Sequence, residues 1–224
     1  MMTEFIFMLT HHDVTIPNAF EVLEEVKDTG LKYVGCKDIG LPLKKLKELF
    51  NRMKNLGLIT FLEVVSGDEE KHFEGVKKAI HVGADYLIGG MPQFTRKTLD
   101  YIRREKSDLK FFPYIGRVVG HPCILEGDVE EIVANGREFE NLGVDGINLL
   151  LYRYRGDREA LLNKITAALK IPIIVAGSID SFEKIEQLKR KNIWAFTIGG
   201  AVLERKFVPG GGIREQVIEV LKRL

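Results

Sequence analysis

Residues 171–202, IPIIVAGSIDSFEKIEQLKRKNIWAFTIGGAV, decide the fold. They read as an apolar run, a small-residue turn at Ala176-Gly177-Ser178, an amphipathic helix, a second apolar run, and the glycine pair Gly199-Gly200 with Ala201 behind it. Short runs rich in Ile, Val and Phe that are joined by a helix are the pattern of buried parallel strands. One glycine turn after a strand is ordinary connection chemistry. Two such turns at the same end of two successive strands put several unencumbered backbone N–H groups together, and these favour an anion.

Working outward, the same unit recurs along the chain. Strands are predicted near residues 4–9, 32–37, 59–64, 86–88, 111–115, 146–152, 173–176 and 195–198, with amphipathic helical stretches between them. Pro42 is pre-set for a helix start, Asp68 and the region from Asp128 open two more helices, and Gly30, Gly57, Gly83, Gly143 and Asn192 close helices before the next strand. The repeat has a period of roughly 24 to 28 residues in all but one unit. An α/β fold, a single (βα)8 TIM barrel covering residues 1–224 as one domain, is the expectation; an open doubly wound sheet would carry a glycine-rich dinucleotide turn after its first strand, and none is present. In a barrel the functional groups lie on the loops that follow the strands.

Composition narrows the function classes. The 224 residues are 45% hydrophobic, enough for a full core, and Lys+Arg 33 against Asp+Glu 32 leave a net charge of +1. That balance gives no electrostatic case for nucleic acid as a partner. The apolar stretch at residues 5–9 is too short for a signal peptide or a membrane span, so a cytoplasmic protein with no membrane partner is expected. Cys36 and Cys123 form no CxxC pair, which fits neither a zinc site nor a disulfide framework. Glutamine is confined to Gln93, Gln187 and Gln216 beside abundant Lys and Glu, a bias found in thermophile proteins.

The pattern IPIIVAGSID…FTIGGAV resembles the phosphate-binding superfamily of (βα)8 barrels, which includes the isomerising and cyclising barrels of histidine biosynthesis, phosphoribosylanthranilate isomerase and the ribulose-phosphate-type barrels. The resemblance implies a phosphate held by Gly177 and Ser178 after strand seven and by Gly199, Gly200 and Ala201 after strand eight. Residues 64–90 also echo residues 175–200, each ending in Ile-Gly-Gly, as if two half-barrels had been duplicated. That echo is most similar to the histidine-biosynthesis isomerase, and implies a second phosphate turn at Ser66, Gly67, Gly89 and Gly90. The aspartates those barrels carry at the ends of strands one and five are absent, since these strands end in Met8-Leu9-Thr10 and Pro113-Tyr114-Ile115. The strand-one cysteine of phosphoribosylanthranilate isomerase is absent too.

Charged residues inside apolar runs mark the candidate chemistry. Lys37 and Asp38 close strand two and Glu63 lies within strand three; a charge there points into a solvated mouth or finds a partner. Lys37 and Glu63 are candidates for proton transfer or, with the lysine neutral, for an imine; a salt bridge closing the mouth is the structural alternative. Asp38 either orients the lysine or faces the other side of the strand. After strand one, His11 of Thr10-His11-His12-Asp13 is a candidate acid, base or donor, and no HxH or HxxxH spacing suggests metal. Arg153 follows strand six beside the expected phosphate. Arg117 and His121 lie in a long loop, residues 116–127, that would cover a substrate.

These residues lead to an enzyme without metal or cofactor, an isomerase, epimerase or lyase acting on a small phosphorylated sugar or related metabolite by acid–base or imine chemistry. The alternative is a regulatory or binding barrel that retains the phosphate turns without the acid and base. A homo-oligomer is compatible with either reading.

Overall fold

The computed structural model describes residues 3–224. Eight parallel strands, β1 (Glu4–Met8), β2 (Tyr33–Lys37), β3 (Ile59–Val64), β4 (Tyr86–Gly89), β5 (Lys110–Phe112), β6 (Ile147–Leu149), β7 (Ile173–Val175) and β8 (Ala195–Ile198), form one sheet in the order β6-β7-β8-β1-β2-β3-β4-β5. Its two ends meet, because Tyr114 bridges Asn148 in parallel and the Asn148 N–H donates to the Pro113 carbonyl at 2.8 Å. The chain is a (βα)8 barrel.

Helices α1 (Ala19–Val26), α2 (Leu43–Asn55), α3 (Glu69–Val82), α4 (Thr95–Arg104), α5 (Val129–Leu142), α6 (Arg158–Ala168), α7 (Phe182–Arg190), α8 (Gly200–Leu203) and α9 (Ile213–Leu221) follow the strands. Local chemistry sets their ends. The Asp68 carboxylate accepts from the Lys71 N–H at 2.9 Å, and Asp128 with Glu131 makes a reciprocal capping box at the start of α5. Gly83 and Gly143 close α3 and α5 with φ of 71° and 82°, and Asn192 after α7 takes 53°. Among the described residues no helix is long and apolar enough to cross a membrane.

Two apolar layers result from the strand alternation. Outward side chains such as Phe5, Phe7, Val34, Cys36 and Leu62 pack under the helices. Inward ones, Ile6, Met8, Phe61, Ile88, Phe112, Ile174 and Ala195, fill the barrel itself. The N-terminal end of the barrel is closed by aromatic rings, with Phe61 stacked on Tyr86 at 4.5 Å and Trp194 5.3 Å from Phe112 and 5.7 Å from Tyr86.

Three segments depart from the sequence reading. The fifth run stops as a strand at Phe112, since Pro113 has no N–H for the ladder. The sixth keeps only Ile147–Leu149 as strand and turns into a 3₁₀ segment at Leu151–Arg153. Residues 116–127 are a β-hairpin rather than a loop, Arg117–Val119 pairing antiparallel with Ile124–Glu126.

Candidate active site at the barrel mouth

Lys37 is the last residue of β2 and the parallel register places it opposite Glu63 of β3. Both side chains point inward, and the Lys37 ammonium lies 3.7 Å from Glu63 Oε2 while being 5% exposed. Its shorter contact is to Asp13 Oδ1, at 2.6 Å. Tyr114, one residue beyond the proline that ends β5, donates its hydroxyl to Glu63 Oε1 at 2.7 Å. Each oxygen of Glu63 thus has a partner, and its orientation is set.

A second hairpin delivers Asp13. Thr10–His11 pairs with Val14–Thr15, and the two residues between, His12 and Asp13, both have positive φ, 47° and 62°. This is the backbone of a two-residue primed turn, normally built from Asn and Gly. Thr15 locks it to β2: its hydroxyl donates to the Lys37 carbonyl at 2.8 Å and accepts from the Lys37 N–H at 2.9 Å. The strand that carries the lysine therefore also anchors the turn that carries its counter-ion.

The electrostatics follow from that packing. Burial acts to lower the Lys37 pKa, but Glu63 and Asp13 outweigh it and the net direction is upward, so the side chain is an ammonium at neutral pH. Burial acts to raise Asp13, but the bond to Lys37, with His121 and Arg153 adding to it, holds the carboxyl below its usual range. The Tyr114 phenol is pushed well above its ordinary value by burial and by Glu63. Burial raises the Cys123 thiol, which stays protonated beside the same charges.

These groups line one side of a cavity of about 280 Å³, and the turns after β7 and β8 line the other. Gly177 and Ser178 have φ of 81° and 57°. A Cβ on Gly177 would lie 2.6 Å from Arg153 Nε, so glycine lets the guanidinium lie flat on the turn. Arg153 Nε donates to Ser178 Oγ at 3.3 Å. A Cβ on Gly199 would meet the Thr10 carbonyl at 2.6 Å, whereas Gly200, the first residue of α8, has nothing nearer than 3.6 Å. Glu204 closes this side, 2.9 Å from both His11 Nε2 and Lys206 Nζ. Among the buried side-chain polar groups without a protein partner are the Thr10 hydroxyl, whose residue lines the cavity, and the amide of Asn148 on β6, whose Cα pairs with that of Tyr114. Among the described residues no three His, Cys, Asp or Glu side chains are grouped to hold a metal ion.

No protein-family profile matches the chain, and no curated protein sequence matches it. Its fold does match solved structures. Tryptophan synthase from M. tuberculosis superposes with a TM-score of 0.70 at 11% identity, covering 100% of this chain and 94% of that one. The 3-hexulose-6-phosphate synthase from Salmonella typhimurium gives 0.66 at 18% identity, over 99% of this chain and 100% of the other. The N-acetylmannosamine-6-phosphate 2-epimerase from Clostridium perfringens gives 0.63 at 14% identity, over 98% and 92%. Likeness at such identities is likeness of fold.

Of the residues expected from sequence, the cavity gathers His11, Lys37, Glu63, Arg153, Gly177, Ser178, Gly199, Gly200 and Ala201. His121 stands over the mouth, its Nε2 3.4 Å from Asp13 Oδ2. Two expectations are corrected. Asp38 does not enter the cavity: strand alternation sends it outward against α3, its Oδ2 3.8 Å from Lys78 Nζ, and burial raises its carboxyl pKa although Lys78 opposes this. Arg117 does not cover the cavity, because the hairpin turns it to the outside, where it pairs with Glu126 at 3.0 Å. The echoed turn is divided: Ser66 and Gly67 line a separate cavity with Lys71 and Lys78. Gly89 and Gly90 are buried against Val64 and His72, while the Ser66 hydroxyl is bonded to Asp68.

Sequence reasoning missed Asp13, Tyr114 and Cys123 as cavity residues. Asp13 was within reach, since a carboxylate shortly past a strand end on the catalytic face is the place to look for a partner to Lys37.

Proposed function

We propose that the protein is an enzyme that isomerises or epimerises a small phosphorylated sugar or related metabolite by proton transfer. One observation carries the reading: the Lys37–Asp13–Glu63 cluster and the turns after β7 and β8 open into the same cavity. A phosphate bound by the amides at Gly177-Ser178 and Gly199-Gly200-Ala201, with Arg153 against it, places the rest of a short molecule beneath Lys37. Two of the proteins sharing the fold have names that carry a phosphorylated sugar, a hexulose-6-phosphate synthase and an N-acetylmannosamine-6-phosphate epimerase, which supports this substrate class.

In this reading Asp13, ionised and at the rim, takes a proton from the carbon beside a carbonyl. The electron pair of that C–H bond becomes the C=C bond of an enediolate, and the Lys37 ammonium stabilises the resulting oxyanion. Returning the proton to the neighbouring carbon, while the hydroxyl proton on the second oxygen passes to the first, gives the isomer; protonation of the original carbon from the other face by a second acid gives the epimer. Glu63, fixed by Tyr114, keeps Lys37 charged. An ammonium held by two carboxylates is a poor imine nucleophile, which favours acid–base over imine chemistry and sets a lyase of the imine type behind an isomerase. The likeness to the histidine-biosynthesis barrels contributes the phosphate turns and not their reaction, because their paired aspartates have no counterpart here.

The test is calorimetric titration with inorganic phosphate and ribose 5-phosphate, with Gly200→Asp, where a side chain has room, as control, followed by a panel of aldose and ketose phosphates in deuterated water read by NMR. Binding lost in the control, together with deuterium incorporated by the native protein and not by Asp13→Asn, is the expected result. Equal binding by native and control proteins removes the assigned phosphate site. Binding without exchange on any substrate favours the regulatory alternative.

A further inference from the structure

A groove of about 800 Å³ runs along the outside of the β6–α6 and β7–α7 connections, and Arg153 and Ser178 line both it and the catalytic cavity. The two spaces therefore abut at the phosphate turn, with Arg153 and Ser178 as their common wall. Beyond that wall the groove is lined by Arg155, Arg158 and Lys184. Lys184 is bonded to Asp180 at 2.7 Å and Arg155 to Glu126, a carboxylate that Arg117 shares. Arg153 and Arg158 have no carboxylate within 4.0 Å among the described residues.

The opposing charge is small. Asp157 is committed to the α6 cap, accepting from the N–H groups of Glu159 and Ala160 at 3.0 Å each. That leaves Glu159 as the one groove-lining carboxylate bonded to neither backbone nor cation among the described residues. The tyrosine faces are taken: Lys184 covers the Tyr152 ring at 5.0 Å and the Gly156 backbone lies against Tyr154. Stacking of a planar group is thus not what the groove offers. One guanidinium at the shared wall, Arg153, and another beyond it, Arg158, suit oxygens of two linked phosphoryl groups.

We propose that the groove holds a second phosphoryl group joined to the first, so that the natural ligand is an organic diphosphate whose inner phosphate lies on the β7 and β8 turns and whose outer phosphate meets Arg158. The proposal rests on the phosphate-turn reading above and goes beyond it in naming the ligand class.

The experiment compares inorganic phosphate and inorganic pyrophosphate by titration calorimetry at fixed ionic strength. Native protein binds pyrophosphate at least tenfold more tightly than phosphate. Arg158→Ala lowers that ratio at least fivefold, Glu159→Gln raises it, and Arg104→Ala on α4 leaves it unchanged. A ratio that is the same in native, Arg158→Ala and Arg104→Ala proteins overturns the groove while leaving the phosphate turns in place. Phosphate binding that survives Gly200→Asp, or no binding of either anion, overturns the turn reading and the groove with it.

Discussion

Lys37 and Glu63 face each other across the β2–β3 register, and the lysine reaches past its strand partner to bond Asp13 more closely, at 2.6 Å against 3.7 Å. One cation thus holds two carboxylates at a mostly buried point. Breaking such a cluster from one side leaves like charges in contact. Lys37→Met should cost about 3–5 kcal/mol at pH 7, read from urea denaturation. The loss should shrink toward pH 4, where the freed carboxylates take up protons. A change of less than about 1 kcal/mol at pH 7 would show the cluster to be solvated and of little structural weight.

The same contacts predict chemistry at the lysine. Borohydride added with aldehyde or ketone phosphates should leave Lys37 unmodified at pH 7, because the amine is protonated. A borohydride-stable adduct on Lys37, located by mass spectrometry, would overturn the acid–base assignment in favour of an imine.

Tyr114 is fully buried by its neighbours and serves Glu63 alone. Tyr114→Phe removes a hydrogen bond to a charged acceptor, worth about 1.5–3 kcal/mol. The variant should lose that much stability, and deuterium exchange into substrate should slow because Glu63 is free to turn. Unchanged stability would mean that Glu63 finds another donor.

Neighbouring glycines should respond in opposite ways. Gly199→Ala drives a methyl to within 2.6 Å of the Thr10 carbonyl and 2.9 Å of the Met8 carbonyl, both backbone, and should cost more than about 2 kcal/mol. Gly200→Ala meets nothing nearer than 3.6 Å and begins α8, so it should be neutral or gain up to about 1 kcal/mol. Thermal melts of the two variants decide it, and equal shifts would refute the close approach of the β8 turn to the residues after β1.

His72 predicts an acid-labile helix pair. It is buried between α3 and α4, its Nε2 shares a hydrogen bond with Thr98 Oγ1 at 2.7 Å, its Nδ1 has no partner, and burial lowers its pKa to about 4. The unfolded chain takes up this proton first, near pH 6.5, so the contribution is complete above that pH and is lost as pH falls toward about 4. Moving the titration from 6.5 to about 4 is worth about 3 kcal/mol. Asp13, with its lowered pKa, adds a further loss only below its ordinary 3.8. Stability measured from pH 7 to 4 should show the first slope in the native protein and not in His72→Gln.

Fold and site were unequally legible in the residues. The strand and helix repeat was plain because alternation, caps and glycine stops all agree, as at Asp68 and Gly83. Lys37, Glu63 and the two small-residue turns stood out because charge or glycine at a strand end has few ordinary uses. Asp13 did not, since His12-Asp13 has none of the glycine that marks a primed turn and the hairpin follows from Thr15 binding β2 instead. Asp38 was ambiguous for want of one fact, where β2 ends. The hairpin around residues 116–127 hid behind its glycines, which read as loop.

Trp194 is the only tryptophan in the chain, and it belongs to the ring of aromatics at the N-terminal end of the barrel, with the filled interior between it and the mouth. Indole emission is therefore a probe of whether the barrel is folded and is blind to what binds at the opposite end. Ligand assays on this protein need calorimetry, NMR or a fluorophore placed at the mouth, and a tryptophan signal that stays flat during titration is expected whether or not a ligand is bound.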